Sequence, residues 1–289
     1  TEIDPKTRKV LDIGSIKSDG NTFHKASLSE FIQFLNGTEY ICGHNILNHD
    51  LKYIGQQLRQ PELQLKGAID TLYLSPLLFP TKPYHGLLKD DKLQTEEMNN
   101  PLNDAIKARD LFYDEVSAFM RIDERLKQIL YLLLWDKREF RSFFRFIAYK
   151  CDNQRVETLI RKCFENEICE NANLTAMIEQ RPVELAYCLS LIHSFIHFKK
   201  LHSITPPWVL KNYPEVERLM MQLRNRPCIR GCVYCNTSLD IHRGLKRFFG
   251  FDSYRTYGGE PLQEKAVKAA VDNKSLLAIF PTGGGKSIT

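Results

Sequence analysis

The spacing of apolar positions changes several times along the chain, and each change predicts an element. Residues 10–16, Val-Leu-Asp-Ile-Gly-Ser-Ile, are β-branched and apolar and predict a strand, with a turn at Asp4-Pro-Lys leading into it. Residues 39–54 read as strand, turn and helix start, and residues 68–74 are a further strand-like run. After that the period lengthens. Ala105, Ala108, Leu111 and Phe112 fall at helical spacing, which predicts an amphipathic helix with Asp104 on its opening turn, beside the buried face. Helical spacing continues through residues 124–134, 140–147, 155–162 and 182–192, so the region from about 113 to 226 reads as a helical connector. Residues 203–208, with two prolines, mark a break, and the apolar run 276–280 predicts a buried parallel strand.

Composition narrows the class. A chain of 289 residues suggests about two domains and part of another. No apolar run is long enough to span a bilayer and no signal peptide is seen, which predicts no membrane partner. Eight cysteines, three of them tightly clustered, favour metal ligation in a reducing compartment over a disulfide framework, so the expected location is cytoplasmic and, in a bacterium, nucleoid-associated. The net charge of +5 permits nucleic-acid binding without requiring it.

After the apolar run comes Pro281-Thr-Gly-Gly-Gly-Lys-Ser287, close to a phosphate-binding loop. Backbone N–H groups of Thr282, Gly283, Gly284 and Gly285 would cradle an anion, Lys286 would reach the outer phosphates of ATP, and Ser287 would bind its magnesium. Phe280 stands where the first glycine of the motif belongs. Upstream lie Phe249-Gly250, Tyr254-Arg255 and Gln263. Together these segments resemble the nucleotide-recognition region and phosphate loop of RecQ-family DNA helicases. The resemblance implies that Gln263 reads the adenine edge and Arg255 helps hold the nucleotide. Here seven residues separate Arg255 from Gln263, where the family usually has two. The resemblance covers about the last 45 residues, so the chain is expected to stop at the opening of a RecA-like ATPase domain.

The other end resembles DnaQ-like (DEDD) 3′–5′ exonucleases, on three segments. Glu2 and the strand at 10–16 match the family's first motif, whose partner aspartate would lie just before residue 1. Gly43-His44-Asn45 followed by His49-Asp50 matches the second, with Asn45 placing the turn and Asp50 a metal ligand. Asp104 matches the third. The resemblance implies an RNase H-like mixed sheet with helices, and Glu2, Asp50 and Asp104 as ligands of two Mg²⁺ or Mn²⁺ ions. Such ions make hydroxide and stabilise the leaving oxygen roughly 3.5–4 Å apart, and they prefer hard oxygen donors. The family's general base, a His or Tyr, is replaced by Asn99 or Asn100, and asparagine cannot deprotonate water. Three alternatives stay open: His85 reaches the site from a neighbouring loop, hydroxide forms on metal without a base, or the domain binds DNA ends and cuts little.

A third feature is Cys228, Cys232 and Cys235, whose spacing suits thiolate ligation of Zn²⁺ or an iron–sulfur cluster. His242, Cys151, Cys163 and Cys169 are candidate fourth ligands. Zinc is favoured because no fourth cysteine follows nearby, and a radical-SAM role fits poorly because that motif opens a barrel. Arg138, Arg141, Arg145 and Lys150, interleaved with aromatics, could contact single-stranded DNA.

The expected fold is α/β: an exonuclease domain at 1–118 lacking its first strand, an all-α connector at 119–226, a cysteine-rich metal element at 227–243, and a truncated helicase start at 244–289. The expected function is a metal-dependent 3′–5′ DNA exonuclease fused to a RecQ-like ATP-dependent helicase, acting on single strands or 3′ ends. The alternative is a catalytically weak module that binds DNA ends and serves the helicase. The oligomeric state is not legible.

Overall fold

A computed structural model of the chain describes residues 1–60, 62–87, 100–152, 154–197, 205–272, 274–280 and 284–285. It is mixed α/β, with small sheets and many helices, and it divides into two compact units. The first comprises Thr1–Val156 and Leu189–Asn212, the second Glu157–Cys188 and Tyr213–Thr289. These units do not coincide with the four segments expected from sequence.

In the first unit β1 (Glu2–Ile3), β2 (Val10–Ile16) and β3 (Thr22–Lys25) form an antiparallel sheet in that order. Alternation along β2 and β3 buries Ile13 and Phe23, which meet Phe31 and Leu35 of α1 (Leu28–Phe34) and its cap, together with Ile54 and Leu58. A parallel pair follows, β4 (Tyr40–Gly43) with β5 (Gly67–Asp70), joined through α2 (Asp50–Ile54). The strand-like run at 68–74 ends early: Asp70 accepts the Leu72 N–H, which caps α3 (Thr71–Leu78) and turns the chain from strand into a helix buried on every side.

Helix α4 (Pro101–Arg121) is opened by Asn100, whose side chain accepts the Leu102 and Asn103 N–H groups, with Pro101 at the first turn. It lies directly on β2. A Cβ on Gly14 would fall 2.0 Å from the Leu102 nitrogen, so only glycine admits the helix start at this depth. Helices α5 (Glu124–Leu134) and α6 (Arg141–Phe146) match the predicted periodicity and belong to this same unit. The reason is packing: Phe119 of α4 meets Phe143, Phe144 and Tyr149 edge-on at 5.2–5.8 Å between ring centres. At the far side, a Cβ on Gly67 would come within 2.3 Å of the Ser142 hydroxyl. Helix α10 (Pro207–Asn212) completes the unit, with Trp208 edge-on to Tyr73.

The second unit contains α7 (Val156–Cys163), α8 (Leu174–Gln180), α11 (Glu215–Met220), α12 (Val233–Ser238), α13 (Ile241–Phe249) and α14 (Leu262–Val271). The division between units falls inside α9 (Pro182–His197). Residues 276–280 do not form the predicted strand. No strand element of the described residues lies in this unit to pair with them, and Leu277 and Ile279 are exposed while Phe280 is buried against Tyr257. No helix among the described residues is long and apolar enough to cross a membrane.

Candidate functional site

A cavity of 870 Å³ opens in the first unit between β2, β4 and α4. Its walls include Thr1, Cys42, His44, His49, Asp50, Asp104, Arg109 and Tyr113, and Arg145 and Phe146 of α6. Two of the three expected exonuclease carboxylates therefore face one space. Asp50 opens α2 at the end of a turn in which Asn45 takes a positive φ of 62° and donates its N–H to Asp70, so Asn45 does shape this turn. Asp104 is carried on the first turn of α4, in the site that Gly14 makes accessible to the helix.

Asp50 Oδ1 accepts the Thr1 N–H at 2.6 Å and the Thr1 hydroxyl at 2.8 Å. Hard oxygen donors of this kind suit Mg²⁺ or Mn²⁺. Glu2, one residue on, pairs through β1 with Asp12 of β2 and is not among the cavity walls. Among the described residues Glu2, Asp50 and Asp104 do not gather as a ligand set.

His85 is not a solvated loop side chain. It is buried, its Nδ1 lies 2.8 Å from Ser75 Oγ of α3, and its Nε2 has no hydrogen-bond partner among the described residues. It is absent from the cavity walls. Burial, with the nearby charge of Lys82, holds its pKa down to about 4. Asn100, at the family's tyrosine position, is used as the α4 cap, and Asn99 lies outside the described residues.

Sequence reasoning missed a group of titratable side chains at and behind the cavity wall. Asp70 is fully buried and accepts N–H bonds from Asn45, Leu47 and Leu72; burial raises its pKa to about 6 against the opposing pull of those bonds. His44 Nδ1 lies 2.9 Å from Thr71 Oγ1, and burial lowers its pKa to about 4. Glu115, on the inner side of α4, has neither carboxylate oxygen bonded, and burial pushes its pKa well up, with Asp70 adding to the effect. Cys42 lines the cavity with its side chain exposed. The sequence signal for Asp70 was present as an Asp-Thr pair ending an apolar run, the pattern of a helix cap.

In the second unit four cysteines converge. The sulfurs of Cys169, Cys228, Cys232 and Cys235 all lie within 4.8 Å of one another, and they could hold a metal ion such as zinc. Gly231, at φ 70°, turns the chain so that Cys232 caps α12, its sulfur accepting the Cys235 N–H. Cys169 enters from the α7–α8 connection, fixed by a 2.7 Å bond from its N–H to the Leu223 carbonyl. Asn171 donates to Cys228 Sγ at 3.2 Å and to the Gly231 carbonyl at 3.3 Å, tying the two segments together. Burial opposes ionisation of Cys232, but N–H bonds from Cys235 and Glu170 hold its thiol below the ordinary range. The fourth sulfur is thus Cys169. His242 instead lies 3.2 Å from Glu264, because α13 and α14 pack side by side.

Of the expected nucleotide site, Thr282, Gly283, Lys286 and Ser287 lie outside the described residues. Gln263 is buried (1% exposed), and its amide is engaged at both ends: Oε1 accepts the Arg255 N–H at 2.9 Å and Nε2 donates to the Gly285 carbonyl at 3.0 Å. Tyr257 Oη donates to the Gly284 carbonyl. The chain brings Arg255, Gln263, Gly284 and Gly285 together despite the long spacing, through the turn at 257–260. Arg255 contributes its backbone here, and an adenine edge would have to displace bonds that Gln263 already makes.

No family model, curated protein or solved structure matches this chain.

Proposed function

We propose that the chain is part of a DNA-processing enzyme: a divalent-metal-dependent 3′–5′ exonuclease module, a structural zinc centre and the start of a RecQ-like ATP-dependent helicase. The observation that carries the nuclease part is the convergence of Asp50 and Asp104, from distant segments, on the wall of one cavity beside Thr1. Bound Mg²⁺ or Mn²⁺ would supply hydroxide and offset charge on the leaving oxygen. The chain's own contribution is to present the Asp50 and Asp104 oxygens to one space.

Zinc is favoured over an iron–sulfur cluster by sulfur spacing. Zn–S bonds of about 2.3 Å set tetrahedral sulfurs roughly 3.8 Å apart, close to the 4.0 Å between Cys232 and Cys169. A cubane cluster places an iron behind each sulfur and needs them wider. This replaces the sequence argument from a missing fourth cysteine, since Cys169 supplies one.

A second reading, a module that binds DNA ends without cutting, is favoured by the burial of His85 away from the cavity. One experiment separates the two. A chain carrying the expected first strand before Thr1 should digest single-stranded DNA from its 3′ end with Mg²⁺ or Mn²⁺, and Asp50→Ala should abolish digestion while leaving oligonucleotide binding in place. Binding without digestion by the parent sinks the nuclease reading, and digestion by Asp50→Ala at the parental rate sinks the assignment of Asp50.

A further inference from the structure

We propose that the mouth of the first unit's cavity is a stacking surface for single-stranded DNA, with Tyr113 and Phe146 as base platforms and Arg145 as the phosphate anchor. The occupant rests on the nuclease reading; the surface is argued from its own residues. Tyr113, one turn beyond Arg109 on α4, lines the cavity together with Arg145 and Phe146 of α6, and Phe112 joins the two aromatics, its ring 5.8 Å from Tyr113 and 5.1 Å from Phe146 between centres.

The platforms are exposed where aromatic rings are usually covered, Tyr113 at 47% and Phe146 at 42%. Phe146 is nonetheless fixed, edge-on to Phe112 at 5.1 Å and to Tyr40 at 5.6 Å between centres. A rigid exposed ring loses little entropy when a base stacks on it. Arg145, its neighbour on α6, is exposed and makes no ion pair among the described residues. Among the other cations of the cavity wall, Lys66 pairs with Glu39, Arg109 pairs with Asp110 and Lys17 donates to the Asn36 carbonyl, so Arg145 is the cation open to a phosphate. Basic side chains beside aromatic platforms are the general chemistry of single-strand recognition.

The test is fluorescence anisotropy of a labelled oligothymidylate of about eight nucleotides, within the usual range of single-strand site sizes, with the chain as it stands and EDTA present so that nothing is cut. Tyr113→Ala and Phe146→Leu should each weaken binding by roughly 5- to 150-fold, the range for loss of one base stack. Arg145→Gln should weaken it and lower the slope of log affinity against log salt by about 0.7, one phosphate's worth on a single strand. An abasic strand of equal length should bind weakly and no longer sense Tyr113→Ala. Circular dichroism checks that each variant folds; Tyr113, with its ring largely in solvent, keeps the test valid if Phe146→Leu loosens the unit. Parental affinity in Tyr113→Ala and Arg145→Gln, or equal binding of the abasic strand, overturns the surface. Tighter binding of oligouridylate overturns DNA as its occupant. Failure of the nuclease reading looks different: no digestion with metal, while binding and its variants behave as stated.

Discussion

Replacing Glu115 with Gln should stabilise the first unit at alkaline pH and change nothing in acid. Glu115 is 0% exposed and neither carboxylate oxygen has a hydrogen-bond partner among the described residues. Burial, reinforced by Asp70, keeps the folded carboxyl protonated well above its usual 4.5. Above that pH the unfolded chain has released a proton that the folded chain keeps. Stability therefore falls as pH rises, by about 1.4 kcal/mol per unit, until the buried carboxyl ionises. Gln cannot titrate, so the difference between variant and parent should be near zero at about pH 4 and grow with that slope above it. Buried groups not coupled to Glu115 bend the parent's curve and cancel in the difference, whereas Asp70, which is coupled to it, contributes to the difference. His44 and His85, held near 4 against a usual 6.5, are neutral in the fold. Each costs up to about 3 kcal/mol as pH falls through that window. Asp70, near 6 against 3.8, has the sign of Glu115 and stops contributing above about pH 6. The assay is urea unfolding from about pH 4 to 9, followed by tryptophan fluorescence, since Trp135 and Trp208 both lie in the first unit. A pH-independent difference would show that Glu115 ionises in the fold as it does in the unfolded chain, and the argument from its burial would be wrong.

Two further outcomes are expected. Purified protein should contain about one zinc per chain by elemental analysis, and Cys169→Ser should lose most of it although Cys169 lies far upstream of the cysteine loop; undiminished zinc in that variant would place the fourth ligand elsewhere, and iron in the parent would move the site to a cluster. A chain extended past Thr289 into the expected ATPase should hydrolyse ATP in a DNA-stimulated manner, and Lys286→Ala should stop turnover by removing the charge opposite the transferred phosphoryl group; an extended parent that binds DNA without such activity would remove the helicase half of the proposal.

Local signals in the sequence were read well where one residue decides the local geometry. The strand at 10–16 and the helices at 124–134 and 140–147 follow from period and side-chain shape alone. Asp70 shows the limit: its run is apolar enough for a longer strand, and only the capping bond to Leu72 converts residues 71–78 to helix. Residues 276–280 show the converse, since a buried strand is defined by its neighbours and none is described in that unit. The connector shows the same dependence on distant neighbours. Periodicity gave its helices correctly, but that α6 joins the first unit depends on Phe143 and Phe144 meeting Phe119, a contact between side chains distant in the chain.

Convergence is the part that spacing cannot carry, and the two candidate sites illustrate why in different ways. At the metal site, three sulfurs were legible because one short turn with Gly231 at positive φ can aim them all. The fourth needed Cys169 to arrive from another connection, held there by backbone and Asn171 bonds that no cysteine pattern encodes. At the cavity, Asp104 was placed correctly on its helix, yet what brings that helix to Asp50 is the absence of a side chain on Gly14. A glycine inside a strand reads as a weak spot until its partner is known. Here it is the point at which α4 descends onto β2, and the placing of Asp104, Arg109 and Tyr113 on the cavity wall depends on that close approach.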